Sequence, residues 1–161
     1  MLKILKIFFL TIFLINFSNI CFSEEDFYSE GVKLFEKKKY EKAKFLFERS
    51  IVFDPKHSNS YLYLAKIYKH NKDQRNEEKN LDTTLLIDPT NEEAILMLME
   101  IGLEKTNYSK VKNLSERFTK VCVNLCNENK KILNELENLE PNNNESWYKF
   151  RQNLNHRFWF T

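Results

Sequence analysis

Apolar residues recur every third or fourth position along most of this chain, the spacing that lines one face of an α-helix. A first stripe over residues 26–38 runs through Phe27, Val32 (or Gly31), Leu34 and Phe35, and a second over 40–53 through Ala43, Phe47, Ser50 and Ile51. A third helix, capped by Ser58 or Ser60, reaches about residue 70 with Tyr61, Leu64, Ala65 and Tyr68 on one side. After a polar turn at 71–76, residues 77–87 present Leu81, Thr84 and Leu85, and Thr90-Asn91 caps a fifth helix over 92–104. That helix is the most apolar, with Ile95, Leu96, Leu98, Met99 and Leu103. Tyr108, Val111, Leu114, Phe118, Val121 and Leu125 predict one long helix over 108–126. A polar break at 127–130 precedes a seventh helix through Ile132, Leu133, Leu136 and Leu139, which Glu140-Pro141 ends. An eighth, over 145–156, opens a tail holding Trp147, Tyr148, Phe150, Leu154, Phe158, Trp159 and Phe160. Two glycines and three prolines in 161 residues suit helices and argue against a turn-rich sheet.

The stripes themselves repeat. Pro55 and Pro89 stand 34 residues apart and close the pairs Asp54-Pro55 and Asp88-Pro89. The same step carries Phe27 to Tyr61, Gly31 to Ala65, Phe47 to Leu81 and Ser50 to Thr84, bulky onto bulky and small onto small. One copy reads Phe27-x2-Glu30-Gly31-x2-Leu34, then Ala43-x3-Phe47, then Pro55; the next reads Tyr61-x2-Leu64-Ala65-x2-Tyr68, then Glu77-x3-Leu81, then Pro89. This resembles the tetratricopeptide repeat, a 34-residue helix pair. A weaker third copy keeps Tyr108 in frame with Tyr40, but has Gly102 at a tyrosine slot and no proline near 123. The resemblance implies an all-α, helix-pair repeat array (an α-solenoid) of about three units with a C-terminal helical cap. The expected division is 1–23 as a signal peptide, 24–126 as the repeat domain and 127–161 as the aromatic cap.

Charge refines the picture. The formal +2 comes from Lys3 and Lys6; the rest of the chain balances 23 basic against 23 acidic residues. A neutral module has no general attraction for nucleic acid or anionic lipid, so no nucleic-acid partner is expected. The two lysines precede an apolar run at 7–15, and Cys21-Phe22-Ser23 offers small residues before the acidic Glu24-Glu25-Asp26. That is the layout of a cleaved export signal, which places the folded part in the periplasm or another extracytoplasmic space. The alternative is an uncleaved anchor over 2–22.

Catalytic chemistry finds little to stand on. Gly31 and Gly102 cannot build a phosphate loop, and His57, His70 and His156 lack metal-ligand spacing. No enzyme, cofactor or metal is expected. Cys122 and Cys126, the cysteines left after the leader, admit three readings. They are two buried thiols, or a disulfide that an exported chain would favour and helical geometry resists, or a poor metal or redox site. Asn107, Asn113 and Asn144 head glycosylation triplets, as chance allows in an asparagine-rich chain.

By resemblance, the first helix of each repeat lines a concave groove for a peptide or partner helix. The lining residues would be Tyr28, Val32 and Phe35, then Leu62, Lys66 and Lys69, then Leu96, Glu100 and Leu103, with the two lysines selecting acidic groups. Tyr28 and Val32 replace the Lys and Asn of the family's clamp for a C-terminal carboxylate, which sets that use aside. The expected function is a scaffold or adaptor of the cell envelope that binds a protein or peptide partner. The alternative is a structural or membrane-docking subunit that works through its aromatic C-terminal helix; membrane contact would come from that helix or from an uncleaved leader.

Overall fold

A computed structural model describes residues 24–139, and all secondary structure among them is helical. The helices are α1 (Glu24–Glu36), α2 (Tyr40–Phe53), α3 (Ser58–His70), α4 (Gln74–Ile87), α5 (Glu92–Glu104), α6 (Tyr108–Val121) and α7 (Cys126–Leu139). Their starts obey one rule: α1, α3, α5 and α7 begin at 24, 58, 92 and 126, and α2, α4 and α6 at 40, 74 and 108. The 34-residue period of the sequence is thus a period of the backbone. It runs through three helix pairs and into the first helix of a fourth.

Each pair turns in the same way. Lys38, Lys72 and Thr106 have φ of 58°, 59° and 52°, three left-handed residues 34 apart with no glycine among them. Around them the same two bonds recur. Lys39, Asp73 and Asn107 donate their N–H to Leu34, Tyr68 and Gly102 at 2.8 to 2.9 Å, while Lys38, Lys72 and Thr106 donate to Phe35, Lys69 and Leu103. This is the Schellman ending of a helix, which satisfies carbonyls that would otherwise lack donors. The residue that completes the turn also opens the next helix. Asp73 accepts from the Asn76 N–H and Asn107 from the Lys110 N–H, whereas the Lys39 side chain makes no such bond.

Several boundaries differ from the sequence expectation. The fourth helix begins at Gln74 rather than 77, because Asp73 caps it. The third is capped by neither serine: His57 Nδ1 accepts the Ser60 N–H at 3.2 Å, and the Ser60 hydroxyl is spent on Ser50 at 2.9 Å. Asn91 caps α5 as expected, accepting the Ala94 N–H at 3.0 Å. The long helix expected over 108–126 ends at Val121; Cys122 is extended (φ −66°, ψ 136°), and α7 starts at Cys126 instead of after a break at 127–130. Leu125, read as part of the apolar stripe, therefore lies in the turn and is exposed.

The chain forms two compact units, one up to Leu64 and one from Ala65. In the first, α1 packs on α2 around Phe47, which is fully buried. Gly31 permits the approach, since a Cβ there would lie 2.8 Å from Phe47 Cε1. Phe47 stacks on Tyr63 (5.0 Å between ring centroids), and Tyr63 meets Phe35 and Tyr28 edge-on at 5.2 and 5.8 Å. Such ring pairs contribute about 0.5–1.5 kcal/mol each beyond their burial. In the second unit α5 is the hub, packing against α4, α6 and α7. Ala94 to Met99 and Ile101 to Leu103 are all buried, and each large side chain contributes roughly 1.5–3 kcal/mol. Among the described residues no helix is long and apolar enough to cross a membrane. The expectations for the leader at 1–23 and for the aromatic tail from 140 onward lie outside the described residues.

Candidate functional site

The lining residues expected from the resemblance fall into two groups. In the first unit, Tyr28, Val32 and Phe35 are half-buried on α1, and Leu62 is only 5% exposed. Tyr28 and Phe35 belong to the aromatic cluster just described: Tyr28 also meets His57 at 4.5 Å, and Phe35 meets Tyr40 at 5.4 Å. Burial, reinforced by the charge and hydrogen bond of Tyr63, pushes the Tyr28 phenol up to about 12, so it stays protonated at physiological pH.

In the second unit the polar members point outward and the apolar ones inward. Leu96 and Leu103 are 8% and 7% exposed, so they support α5 more than they present a surface. Lys66, Lys69 and Glu100 stand at the surface, but the lysines are engaged. Lys66 pairs with Glu93 at 2.8 Å and Lys69 with Glu100 at 2.5 Å. Burial pulls the Lys69 ammonium down, yet the Glu100 bond and the charges of Glu100, Glu77 and Glu104 outweigh it and leave Lys69 above its ordinary value. The basic patch expected from Lys66 and Lys69 is thus a set of ion pairs.

Of the acids on this surface, sequence reasoning named Glu100 and passed over Glu77 and Glu104. A cavity of about 460 Å³ opens beside Lys69, lined by Lys72, Gln74, Glu77, Glu100, Ile101 and Glu104. Glu104 accepts from Gln74 Nε2 at 2.6 Å. Glu77 is buried, and burial first, partly offset by Lys69, raises its carboxyl above the usual range. The signal for it was present: Glu77 occupies the small-residue slot that Ala43 fills 34 residues earlier. A second depression, of about 660 Å³, lies along α4 near Arg75, Glu78, Asp82 and Lys105. Glu78 is neutralised there, accepting from Lys105 and Lys110 at 2.5 and 2.6 Å, bonds that hold its carboxyl below the ordinary range.

The cysteines meet at the other end of the unit. Cys122 and Cys126 form a disulfide with Cα atoms 5.4 Å apart across the α6–α7 turn. The early end of α6 removes the helical geometry that would have kept the thiols apart. The enclosed turn presents three successive N–H groups, of Val123, Asn124 and Leu125, to the Glu92 carboxylate at 2.7 to 3.2 Å. Three backbone donors on one anion form a nest. The Leu125 bond above all holds the Glu92 carboxyl below its ordinary range. Among the described residues no group of three His, Cys, Asp or Glu side chains could hold a metal ion.

Residues 46–79 match the family model described as the tetratricopeptide repeat, one period of the frame seen in the backbone. The chain has the tetratricopeptide-repeat fold. Among solved structures, the Yersinia enterocolitica type III secretion chaperone SycD, in complex with a peptide of the translocator YopD, aligns with a TM-score of 0.65 at 17% identity. The match covers 74% of this chain and 97% of SycD. The tetratricopeptide-repeat domain of Sgt2 from Aspergillus fumigatus gives 0.60 at 17% identity, over 71% of this chain and 77% of that one. The first such domain of Spaghetti (RPAP3), bound to the HSP90 peptide SRMEEVD, gives 0.60 at 19% identity, over 71% and 93%. No curated protein matches this chain.

Proposed function

We propose that this tetratricopeptide-repeat chain is a non-enzymatic protein–protein interaction module, a scaffold or adaptor of the cell envelope, that holds a segment of a partner protein. The observation that carries the reading is the repeated helix-pair fold itself, shared with SycD and RPAP3 domains that hold peptides. Within this chain, the first helices keep side chains at the surface that a peptide could touch. These are Tyr28, Val32 and Phe35 on α1 in the first unit, and Lys66, Lys69 and Glu100 on α3 and α5 in the second. Leu62, Leu96 and Leu103, named with them from the sequence, are buried. The envelope assignment rests on the signal-like layout of residues 1–23.

The test is photo-crosslinking from Val32 and from Glu100 in the native cell, with Leu86, 82% exposed on α4, as control. The expected result is a discrete crosslinked protein from the first two positions and none from the third. Equal labelling from all three, or none, would sink the reading. Protease digestion of intact and of permeabilised cells tests the envelope assignment, which fails if the chain is shielded by the inner membrane.

A further inference from the structure

We propose that the cavity around Glu77 is a cation subsite, which receives the guanidinium or ammonium head of an arginine or lysine side chain from a bound protein partner. The proposal rests on the reading of the chain as an interaction module and names the chemistry of one contact. The decisive residue is Glu77, only 5% exposed. Its carboxylate makes no hydrogen bond and no ion pair with any described residue; Lys69 acts on it only through its charge. Neither oxygen is sealed from solvent without a partner, so the small exposed part of the residue includes the carboxylate, which faces the cavity. A carboxylate left with little water and no protein donor is costly, and a cationic donor entering from the cavity relieves that cost.

Packing does not explain the residue. The positions 34 before and 34 after Glu77 are Ala43 and Val111, both fully buried and apolar. The helix pair therefore accommodates a plain hydrocarbon here, and the second repeat departs from it with an acid. The surroundings select the sign of the ligand. Glu77, Glu100 and Glu104 line the cavity against Lys69 and Lys72. Glu100 is bound to Lys69 and Glu104 to Gln74, which leaves Glu77 to meet what enters. A phosphate or carboxylate would meet the unpartnered Glu77 carboxylate. A metal ion lacks a ligand set, since among the described residues no three acidic, histidine or cysteine groups, these glutamates included, stand so that they could hold one. Ile101 on the wall offers an apolar surface for the methylene stem of a long basic side chain.

The test is an NMR titration of the full chain with Nα-acetyl-arginine methylamide and with its neutral citrulline counterpart, repeated on Glu77→Gln. The expected result is saturable shifts at the Glu77, Ile101 and Glu104 amides with the arginine compound. The citrulline compound, and the arginine compound on Glu77→Gln, should each bind at least about tenfold more weakly. Glu77→Ala, which takes the residue type of position 43, is a second variant and should lose binding equally. Equal binding of arginine and citrulline, unchanged binding by the variants, or no shift with arginine overturns the subsite. If a partner crosslinks from Val32 and Glu100 while arginine fails to bind, the subsite falls and the interaction module stands. If arginine binds and no protein crosslinks, the occupant is not a protein side chain and the proposal is overturned in that part.

Discussion

Replacing Lys39 with aspartate should stabilise the first helix pair, because it supplies the side-chain cap that Asp73 and Asn107 give α4 and α6 and that α2 lacks. The backbone is ready for it. At Lys39 φ and ψ are −88° and 61°, against −92° and 73° at Asp73 and −89° and 67° at Asn107. Asp73 and Asn107 each accept the N–H three residues on, at 3.2 and 3.1 Å, and the matching donor for an aspartate at 39 is Lys42. An N-cap of this kind contributes about 1 kcal/mol. Exchanging a cation for an anion at the positive end of α2 adds roughly 0.3–1 kcal/mol, reduced by salt at this exposed site. The expected total is about 1–2 kcal/mol, or a rise in Tm of about 3–6 °C for a chain of this size.

Thermal unfolding followed by circular dichroism measures the sum, and Lys39→Ala separates its parts. Alanine removes the unfavourable cation but adds no acceptor, so it should recover well under half of the gain. Hydrogen exchange localises the effect: the Lys42 amide should become protected in Lys39→Asp alone. If aspartate and alanine stabilise equally, or if the Lys42 amide exchanges as before, the claim that position 39 shares the geometry of 73 and 107 is wrong.

Four further outcomes follow from the packing and the charges. Gly31→Ala should cost about 1–3 kcal/mol in urea unfolding, because its methyl would stand 2.8 Å from the fully buried Phe47 ring; Gly102→Ala, 2.7 Å from Val111 Cγ2, should behave alike. Since the Glu92 carboxyl is held below its ordinary range, its contribution is complete above the normal glutamate value. It is lost as pH falls through the lowered folded value, so the protection factors of the Val123, Asn124 and Leu125 amides should collapse in acid, and at all pH values in Glu92→Ala. The Tyr28 phenol has the opposite sign, raised to about 12: stability should be full below the ordinary tyrosine value and decline as pH rises toward 12, and Tyr28→Phe should flatten that decline in alkaline unfolding curves. Reducing Cys122–Cys126 closes no long loop and should cost only about 2 kcal/mol by chain entropy, seen as a lower Tm in reductant that Cys122→Ser with Cys126→Ser reproduces.

The sequence made the fold legible where side-chain type follows backbone need. The 34-residue step from Phe27 to Tyr61 and from Gly31 to Ala65 is a packing constraint, so the helix pairs could be read directly. The turns were harder. Their left-handed positions hold Lys38, Lys72 and Thr106, none a turn-forming residue, and only their spacing in the finished structure shows them to be one device. The candidate site was half legible for a related reason. Tyr28, Val32, Lys69 and Glu100 could be placed on the correct helices by period alone, but whether a lysine is free or paired depends on helices more than twenty residues away in sequence. Lys66 meets Glu93 and Lys69 meets Glu100, each on a different helix, and no local pattern announces such a pair.

The missing third proline shows how a repeat can keep its frame after losing its marker. Pro55 and Pro89 sit one residue past the ends marked by Asp54 and Asp88, and the equivalent position is Val123, one past Cys122. All three ends are otherwise alike: Asp54, Asp88 and Cys122 each donate to the carbonyl four residues back, at 2.8 Å. A proline at 123 would stop α6 by lacking an N–H. Val123 has one, and the Glu92 carboxylate takes it together with the next two. The stop that proline provides locally is thus provided here by a side chain from α5, with the disulfide closing the turn around it. On this argument Val123→Pro should be tolerated by the end of α6 but should remove one donor from Glu92, whereas Glu92→Ala should loosen the turn while leaving α6 helical up to Val121.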